Sequence, residues 1–379
     1  YGGDKYKTPH LDALAQEGIR FETCYSTPLC GPTRCQLLTG RYPFRTGGLT
    51  NGSAGSPQPD KEISIAKVLK QAGYATAHAG KWRQVGSSPD AWGFDEYITD
   101  PTASGWYWTK TYTKNGKAVQ SDQEVYYHDV LQDFAVDFIT RHREQPFFFY
   151  YAMHLVHAPI LRTPDSKPDA QNYYADNIAY MDKLVGKLAA ELDKMKLREN
   201  TLILFSCDNG TARASGTVRG RAINGAKGSM LEGGARVPLI ASWKGVAPAG
   251  TVCKDMIDFS DLFVTFAELG GAKLPEGVTL DGRSFAPQLK GQPGKPREWI
   301  FVQLGNNWYA REPRWKLNNA GELFDMQDAP FVEKPVPAET QDAEAAAARK
   351  RLQAVLDGLK PTGEGAGGGG RRQKGQGRK

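Results

Sequence analysis

Apolar residues along this chain follow two rhythms, one at helical spacing and one in short unbroken runs. TPHLDALAQEG has the helical rhythm, with Thr8 in the N-cap position, Pro9 at the first helical position and Gly18 as a stop. IRFETCYS then reads as a strand. In PLCGPTRCQLLTGRYPFRTG, residues 28 to 47, Pro32 suits the first turn of a helix, where its missing N–H costs nothing, so Cys30 falls at a helix start. A helix near ISIAKVLKQAG and a strand YATAHAG follow, then a long amphipathic helix from about Glu124 to Arg143. PFFFYYAMH reads as a strand apolar on both faces and about Asn172 to Met195 as a helix; the apolar run of TLILFSCDNG ends abruptly in Asp208 and Asn209.

Continuous apolar strands alternating with amphipathic helices predict an α/β sheet covered on both sides. Ligands in such sheets bind beyond the carboxyl ends of the strands. That rule gathers Lys81 after ATAHAG, His154 and His157 after FFFYYAM, and Asp208 and Asn209 after LILFSC into one candidate site. After VPLIASW and DLFVTFAELGG the pattern changes to short strand-like pieces, EWIFVQL, NWYAREPRWKL and GELFDM. The expected organisation is a main domain over 1–289, a small C-terminal subdomain over 290–345, and a charged Ala-rich helix with a low-complexity Gly/Arg-rich tail over 346–379.

Composition narrows the function classes. With 379 residues and 40% hydrophobic content the chain can bury a large core, and no uninterrupted apolar run approaches a membrane span. The formal charge is +6, but the tail from 361 to 379 supplies +4 of it, so no folded basic face argues for nucleic acid. Five cysteines, Cys24, Cys30, Cys35, Cys207 and Cys253, are too few and odd in number for a disulfide scaffold. The chain starts at YGGDKYKTPH without an initiator Met, and reads as N-terminally truncated, with no signal peptide.

The helix start at Cys30 is the chemically pointed feature. Free N–H groups and the macrodipole favour an anion there, and Arg34, four residues on, faces the same anion. The same field lowers a thiol pKa, which leaves a simple thiolate nucleophile open. A rival frame, Cys35 to Arg41, has the Cys-x5-Arg spacing of cysteine-dependent phosphatases, but it puts Leu37 and Leu38 where a small, Gly-rich phosphate loop is needed.

Cys30-Gly31-Pro32-Thr33-Arg34 followed by LLTGRYPFRTG resembles the signature of type I sulfatases, of the alkaline phosphatase-like superfamily. Four more blocks occur in that family's order: TPHLDALAQEGIRF, GKW at Gly80 to Trp82, DNG at Asp208 to Gly210, and KGSMLEGGARVP from Lys227. The likeness runs from residue 1 to roughly 345 and implies an alkaline phosphatase-like α/β sandwich: a large mixed, mostly parallel sheet flanked by helices, plus a small antiparallel C-terminal α+β subdomain.

The resemblance also implies a chemistry. Cys30 would be oxidised to formylglycine by a formylglycine-generating enzyme; one hydroxyl of the hydrated aldehyde would attack sulfur, and the second would then expel sulfate. A divalent cation, calcium or magnesium, would be held by Asp208, Asn209 and the residue-30 oxygen. Arg34, Lys81 and Lys227 would supply positive charge, and His157 would contact sulfate and protonate the leaving alcohol. His154 is a further substrate contact or else a buried structural side chain, His78 within its strand reads as structural, and EGGARVP reads as a supporting turn. GWYWTK, residues 105 to 110, is either a sugar-stacking platform or surface packing. Arg213, Arg219 and Arg221 either meet a polyanionic substrate or are solvated.

Two departures from the family pattern stand out. Its opening strand, which carries an adjacent Asp pair of metal ligands, lies upstream of Tyr1, so Asp208 and Asn209 alone fall short of the six to eight oxygens that calcium takes. Where the family has His two residues after the Lys of GKW, this chain has Arg83, which cannot accept a proton and reads as a substrate clamp, leaving any base role to His154 or Asp208. The expected function is hydrolysis of aryl or carbohydrate sulfates. A formylglycine-dependent phosphonate or phosphate ester hydrolase and an inactive sulfated-glycan-binding relative are the alternatives. The family's habit of export places the protein in a periplasmic or extracellular setting.

Overall fold

The computed structural model describes residues 1–53, 56–82, 85–99, 106–212 and 214–364. Its centre is a mixed sheet that divides, among the described residues, into two parts. The first has the order β11 (Thr251–Asp258), β1 (Ile19–Tyr25), β10 (Arg236–Ser242), β7 (Ile203–Ser206), with β1 parallel to β11 and antiparallel to β10. The second has the order β5 (Lys117–Tyr126), β4 (Trp108–Lys114), β3 (Glu96–Thr99), β2 (Ala75–Gly80), β6 (Phe147–Ala152), with β2 parallel to both its neighbours. Among the described residues β6 and β7 each pair on one side only, and their apolar residues are mostly half-buried.

Helices cover both faces, as the apolar strands require. α1 (Pro9–Gln16), α5 (Tyr127–Arg141) and α6 (Tyr174–Lys194) pack together on one side; α2 (Cys30–Thr39), α4 (Ile65–Gln71) and α8 (Phe259–Leu269) pack on the other. Short helices α3 (Pro43–Thr46), α7 (Glu232–Ala235) and α9 (Ala286–Leu289) lie in connections. A core of Phe21, Leu239, Ile257, Leu262 and Phe285 joins the first sheet part to α8 and α9. Among the described residues no helix is long and apolar enough to cross a membrane.

Thr8 takes the N-cap position of α1 and Pro9 the first helical one, as expected, but the Thr8 side chain makes no cap hydrogen bond. The buried carboxylate of Asp182, from α6, instead accepts the first-turn N–H groups of His10 and Leu11 at 3.0 and 2.8 Å. Two other local expectations need correction. Glu124 to Tyr126 are strand rather than helix, because Asn115 and Gly116, both at positive φ (48° and 74°), close a β4–β5 hairpin. The boundary at 345 falls inside α10 (Ala343–Leu359). That helix buries Ala345, Ala348, Leu352 and Leu356 against Trp315, Leu317 and Leu323, so it belongs to the C-terminal unit. The sheet of this unit is antiparallel, in the order β12 (Ile300–Leu304), β13 (Asn307–Arg311), β14 (Trp315–Asn318), β15 (Leu323–Asp325), β16 (Lys334–Val336). A separate hairpin, β8 (Ser215–Val218) and β9 (Arg221–Asn224), follows the DNG segment.

Candidate active site

α2 begins at Cys30, which is buried at the helix end where the backbone N–H groups are free of helical partners. One of them, Gly31 N–H, donates to Asn51 Oδ1 at 2.9 Å. Two ammonium groups converge on Cys30: Lys81 Nζ, just past the end of β2, lies 3.2 Å from Sγ, and Lys227 Nζ lies 3.3 Å from it. One helical turn on, Arg34 donates from Nη1 to the Lys81 carbonyl at 2.7 Å and pairs through Nη2 with Asp208 Oδ2 at 3.0 Å. Asp208 and Asn209 follow β7, and Thr33 Oγ1 anchors that turn by donating to Asp208 O at 2.7 Å.

The electrostatics match an anion site. Burial works against ionisation of Asp208, but Arg34, Lys81 and Lys227 together outweigh it and hold the carboxyl below its usual range. Burial, then the Arg34 charge, lowers the Lys81 ammonium. His157 is half-buried; burial and then Lys81 pull its imidazole below the ordinary value. Its Nδ1 lies 2.6 Å from the Ala158 carbonyl, so that nitrogen carries the proton and Nε2 is left to exchange one.

The structure therefore brings Cys30, Arg34, Lys81, Asp208 and Lys227 into direct contact, with His157 in their field. His154 is different: it is 2% exposed and stacks on Trp106 at 5.3 Å between ring centroids, which fits the buried structural reading rather than a substrate contact. Arg83, Arg213 and Gly105 lie outside the described residues. Arg221 is bound to Asp328 and lies over the Phe331 ring, a docking contact with the C-terminal unit. The Cys35 frame fails: Cys35 lies inside α2, and burial pushes its thiol up to about 12.

The aromatic segment after residue 105 also takes on a definite role. Trp106 meets His157 edge-on at 4.9 Å, with His154 stacked on the ring and Lys81 Nζ 5.8 Å from its centroid. Tyr107 OH donates to the His157 carbonyl at 2.6 Å, and Trp108 Nε1 to Arg162 O at 2.9 Å. These three side chains hold the 154–162 segment, and Trp106, half-buried, is packed against both histidines of that segment.

An oxygen-ligating cation fits part of this site. Asn209 Nδ2 donates to Gly210 O at 2.7 Å, whereas its Oδ1 is buried without a hydrogen-bond donor among the described residues. An acceptor of that kind beside an ionised carboxylate suits a hard cation. No group of three or more His, Cys, Asp or Glu side chains able to hold a metal occurs among the described residues, so Asp208 and Asn209 form an incomplete set. Asn51 and Tyr150, whose OH lies 3.4 Å from Arg34 Nη1, are site residues that pattern reading passed over.

Comparison with known proteins decides the family. The Sulfatase family model matches residues 1–272, most of the chain. The chain belongs to the sulfatase family. It is 33% identical over 368 residues to N-acetylgalactosamine-6-sulfatase of Canis lupus familiaris, covering 86% of this chain and 70% of that protein. It is 32% identical over 342 residues to Homo sapiens arylsulfatase A, covering 79% and 66%. Among solved structures, Ps i-CgsB superposes with a TM-score of 0.77 at 28% identity, covering 93% of this chain and 87% of that one, and has also been seen in complex with k-i-k-neocarrahexaose. This sulfatase is thus a sulfuric ester hydrolase with the alkaline phosphatase-like fold, acting on sulfate esters of carbohydrate or aryl alcohols.

Proposed function

We propose that this sulfatase works through a formylglycine made from Cys30 by a formylglycine-generating enzyme, with a calcium or magnesium ion held by Asp208 and Asn209. The observation that carries the reading is the position of Cys30 Sγ at the start of α2, 3.2 and 3.3 Å from the Lys81 and Lys227 ammonium groups. The modified residue supplies a hydrated aldehyde as oxygen nucleophile, and the cation supplies charge that stabilises oxyanions. Lys81 and Lys227 bind the sulfate oxygens from two sides and offset charge that builds up on them. Arg34 keeps Asp208 ionised and aimed while fixing the turn at Lys81. His157 delivers a proton from Nε2 to the departing alcohol oxygen. Arg83, two residues after Lys81 in the sequence, is assigned as a substrate clamp.

Asp208 and Asn209 leave the cation short of the six to eight oxygens calcium takes. Among the described residues the half-buried edges of β6 and β7 that face away from their partners, beside Arg34 and Asp208, leave room for a further strand, which we assign as the source of the remaining oxygen ligands. For the substrate we favour a sulfated sugar within a glycan. The support is the likeness to N-acetylgalactosamine-6-sulfatase and to Ps i-CgsB with its bound carrahexaose. The setting is exported, as the family habit suggests, and the 1–289 unit carries the chemistry.

The test is mass spectrometry of the peptide spanning Cys30, on full-length protein co-produced with a formylglycine-generating enzyme. An aldehyde or its hydrate in place of the thiol supports the reading. An intact thiol, under conditions that convert a control sulfatase, rejects it. Sulfate and phosphonate esters of one leaving group, compared on the converted protein, separate the two ester classes.

A further inference from the structure

Glu232 is a buried carboxylate that the proposed chemistry does not use, yet it sits at the centre of the segment that carries Lys227. It is 2% exposed at the start of α7. Tyr25 OH lies 2.6 Å from both carboxylate oxygens, Arg311 Nη1 lies 3.2 and 3.1 Å from them, and Arg236 Nη1 lies 3.4 Å from Oε2. Tyr25 ends β1, on the approach to Cys30; Arg311 ends β13, in the C-terminal sheet. The same C-terminal unit grips the segment twice more. Glu333 Oε1 accepts from Glu232 N at 2.6 Å, and Lys316, paired with Glu333, donates to Met230 O at 3.2 Å.

The other end of the segment is fixed to the active site. Lys227 N donates to Thr211 O at 3.1 Å, Gly228 N to Pro28 O at 3.0 Å, and Gly210 N to Gly234 O at 2.9 Å. Packing leaves no slack: a Cβ on Gly233 would come within 2.6 Å of Asn224 O, and one on Gly234 within 2.2 Å of Ser229 O. Desolvation makes a buried ion pair a poor source of net stability; here its contacts tie the Lys227 segment to the ends of β1 and β13.

We propose that Glu232, gripped by Arg311 and Tyr25, is a positioning residue that fixes Lys227 against the nucleophile, so that the C-terminal sheet takes part in turnover without touching substrate. The inference rests on the proposed role of Lys227 at the sulfate centre. A group acting through Lys227 affects the transition state more than substrate capture, and its effect vanishes once Lys227 is gone.

The experiment uses the full-length converted enzyme with 4-nitrophenyl sulfate, well below each variant's melting temperature. Glu232→Gln and Arg311→Met are each expected to lower kcat about tenfold with KM changed less than about twofold. In a Lys227→Ala background, Glu232→Gln is expected to add less than about twofold. Arg314→Gln, which removes two ion pairs at the β13–β14 turn away from the segment, is expected to leave kcat unchanged. Should Glu232→Gln not fold, Tyr25→Phe removes only the hydroxyl and is expected to lower kcat several-fold, again only while Lys227 is present. Folded Glu232→Gln and Arg311→Met proteins with unaltered kcat overturn the proposal, as does a Glu232→Gln loss of equal size with and without Lys227. Unaltered turnover by Lys227→Ala alone would remove the Lys227 role, and the inference with it.

Discussion

Arg34 and Asp208 form an ion pair at 3.0 Å in which the arginine side chain is almost wholly buried and the aspartate 28% exposed. The pair ties the first turns of α2 to the end of β7, and the second arm of the same guanidinium holds the Lys81 carbonyl at 2.7 Å beyond β2. One planar fork thus sets the relative positions of three chain segments that bear candidate catalytic groups.

A lysine cannot reproduce that fork, since an ammonium is a point charge on a flexible stem. Arg34→Lys is therefore expected to fold and to lose about 100-fold in kcat/KM, because Asp208 and Lys81 are no longer held to one geometry. Steady-state kinetics on 4-nitrophenyl sulfate check this. A loss below about threefold would show that the pair is dispensable.

The His157 imidazole gives a pH dependence with a definite sign. Burial and the Lys81 charge lower its pKa below the ordinary value of about 6.5, so in the free enzyme it is mostly neutral at pH 7. If it acts as the leaving-group acid it must be protonated, so kcat/KM should fall as pH rises through that lowered pKa. Asp208, held below its usual range, stays ionised across the same window and adds no limb there. His157→Asn should flatten the alkaline limb. A limb that survives the substitution would assign the acid to another group.

Asn51 offers a subtler test. Its Oδ1 takes the Gly31 N–H that would otherwise be free beside Cys30. Asn51→Ala should cost about 1 kcal/mol of stability and lower kcat several-fold by loosening the helix end. Thermal unfolding read beside kcat separates the two. A drop in melting temperature with kcat intact would make the contact purely structural.

What was legible in the sequence was local. Cys30 and Arg34 share one turn, Asp208 and Asn209 are adjacent, and Lys81 ends an apolar run, so each could be placed from its neighbours. The β4–β5 hairpin is signalled only by Asn115-Gly116, and the apolar spacing of the helix after Tyr127 continues back through Glu124, which makes strand and helix look alike there. Asn51 is out of reach of local patterns because its partner lies twenty residues away, on the far side of α2 and the short α3. The contact between Glu232 and Arg311, 79 residues apart, depends on how the C-terminal sheet docks, which no local rhythm encodes. The Asp182 cap on α1 is a third case of the same kind, with its partner 171 residues away replacing the Thr8 cap that local rules favoured.

The joint between the two sheet systems should carry a large share of stability through Arg297. This arginine, 6% exposed, donates through Nε to both Asp261 oxygens at 2.8 Å, through Nη2 to Ser260 Oγ at 3.1 Å and Asp281 O at 2.6 Å, and through Nη1 to Tyr42 OH at 3.3 Å. Asp261 also completes the capping box of α8 by accepting from Asp258 N at 2.8 Å, so the pair joins a helix start to the strand-rich unit that begins at Ile300. Removing one partner of a buried pair leaves the other charged and unpaired, at a cost of about 3–5 kcal/mol. Arg297→Met should therefore lower the urea midpoint sharply, while Arg297→Met combined with Asp261→Asn, which removes the stranded charge and keeps an acceptor for the helix cap, should recover part of the loss. If the double variant is as unstable as the sum of the two singles, the pair does not act as a unit and its weight lies in the separate hydrogen bonds.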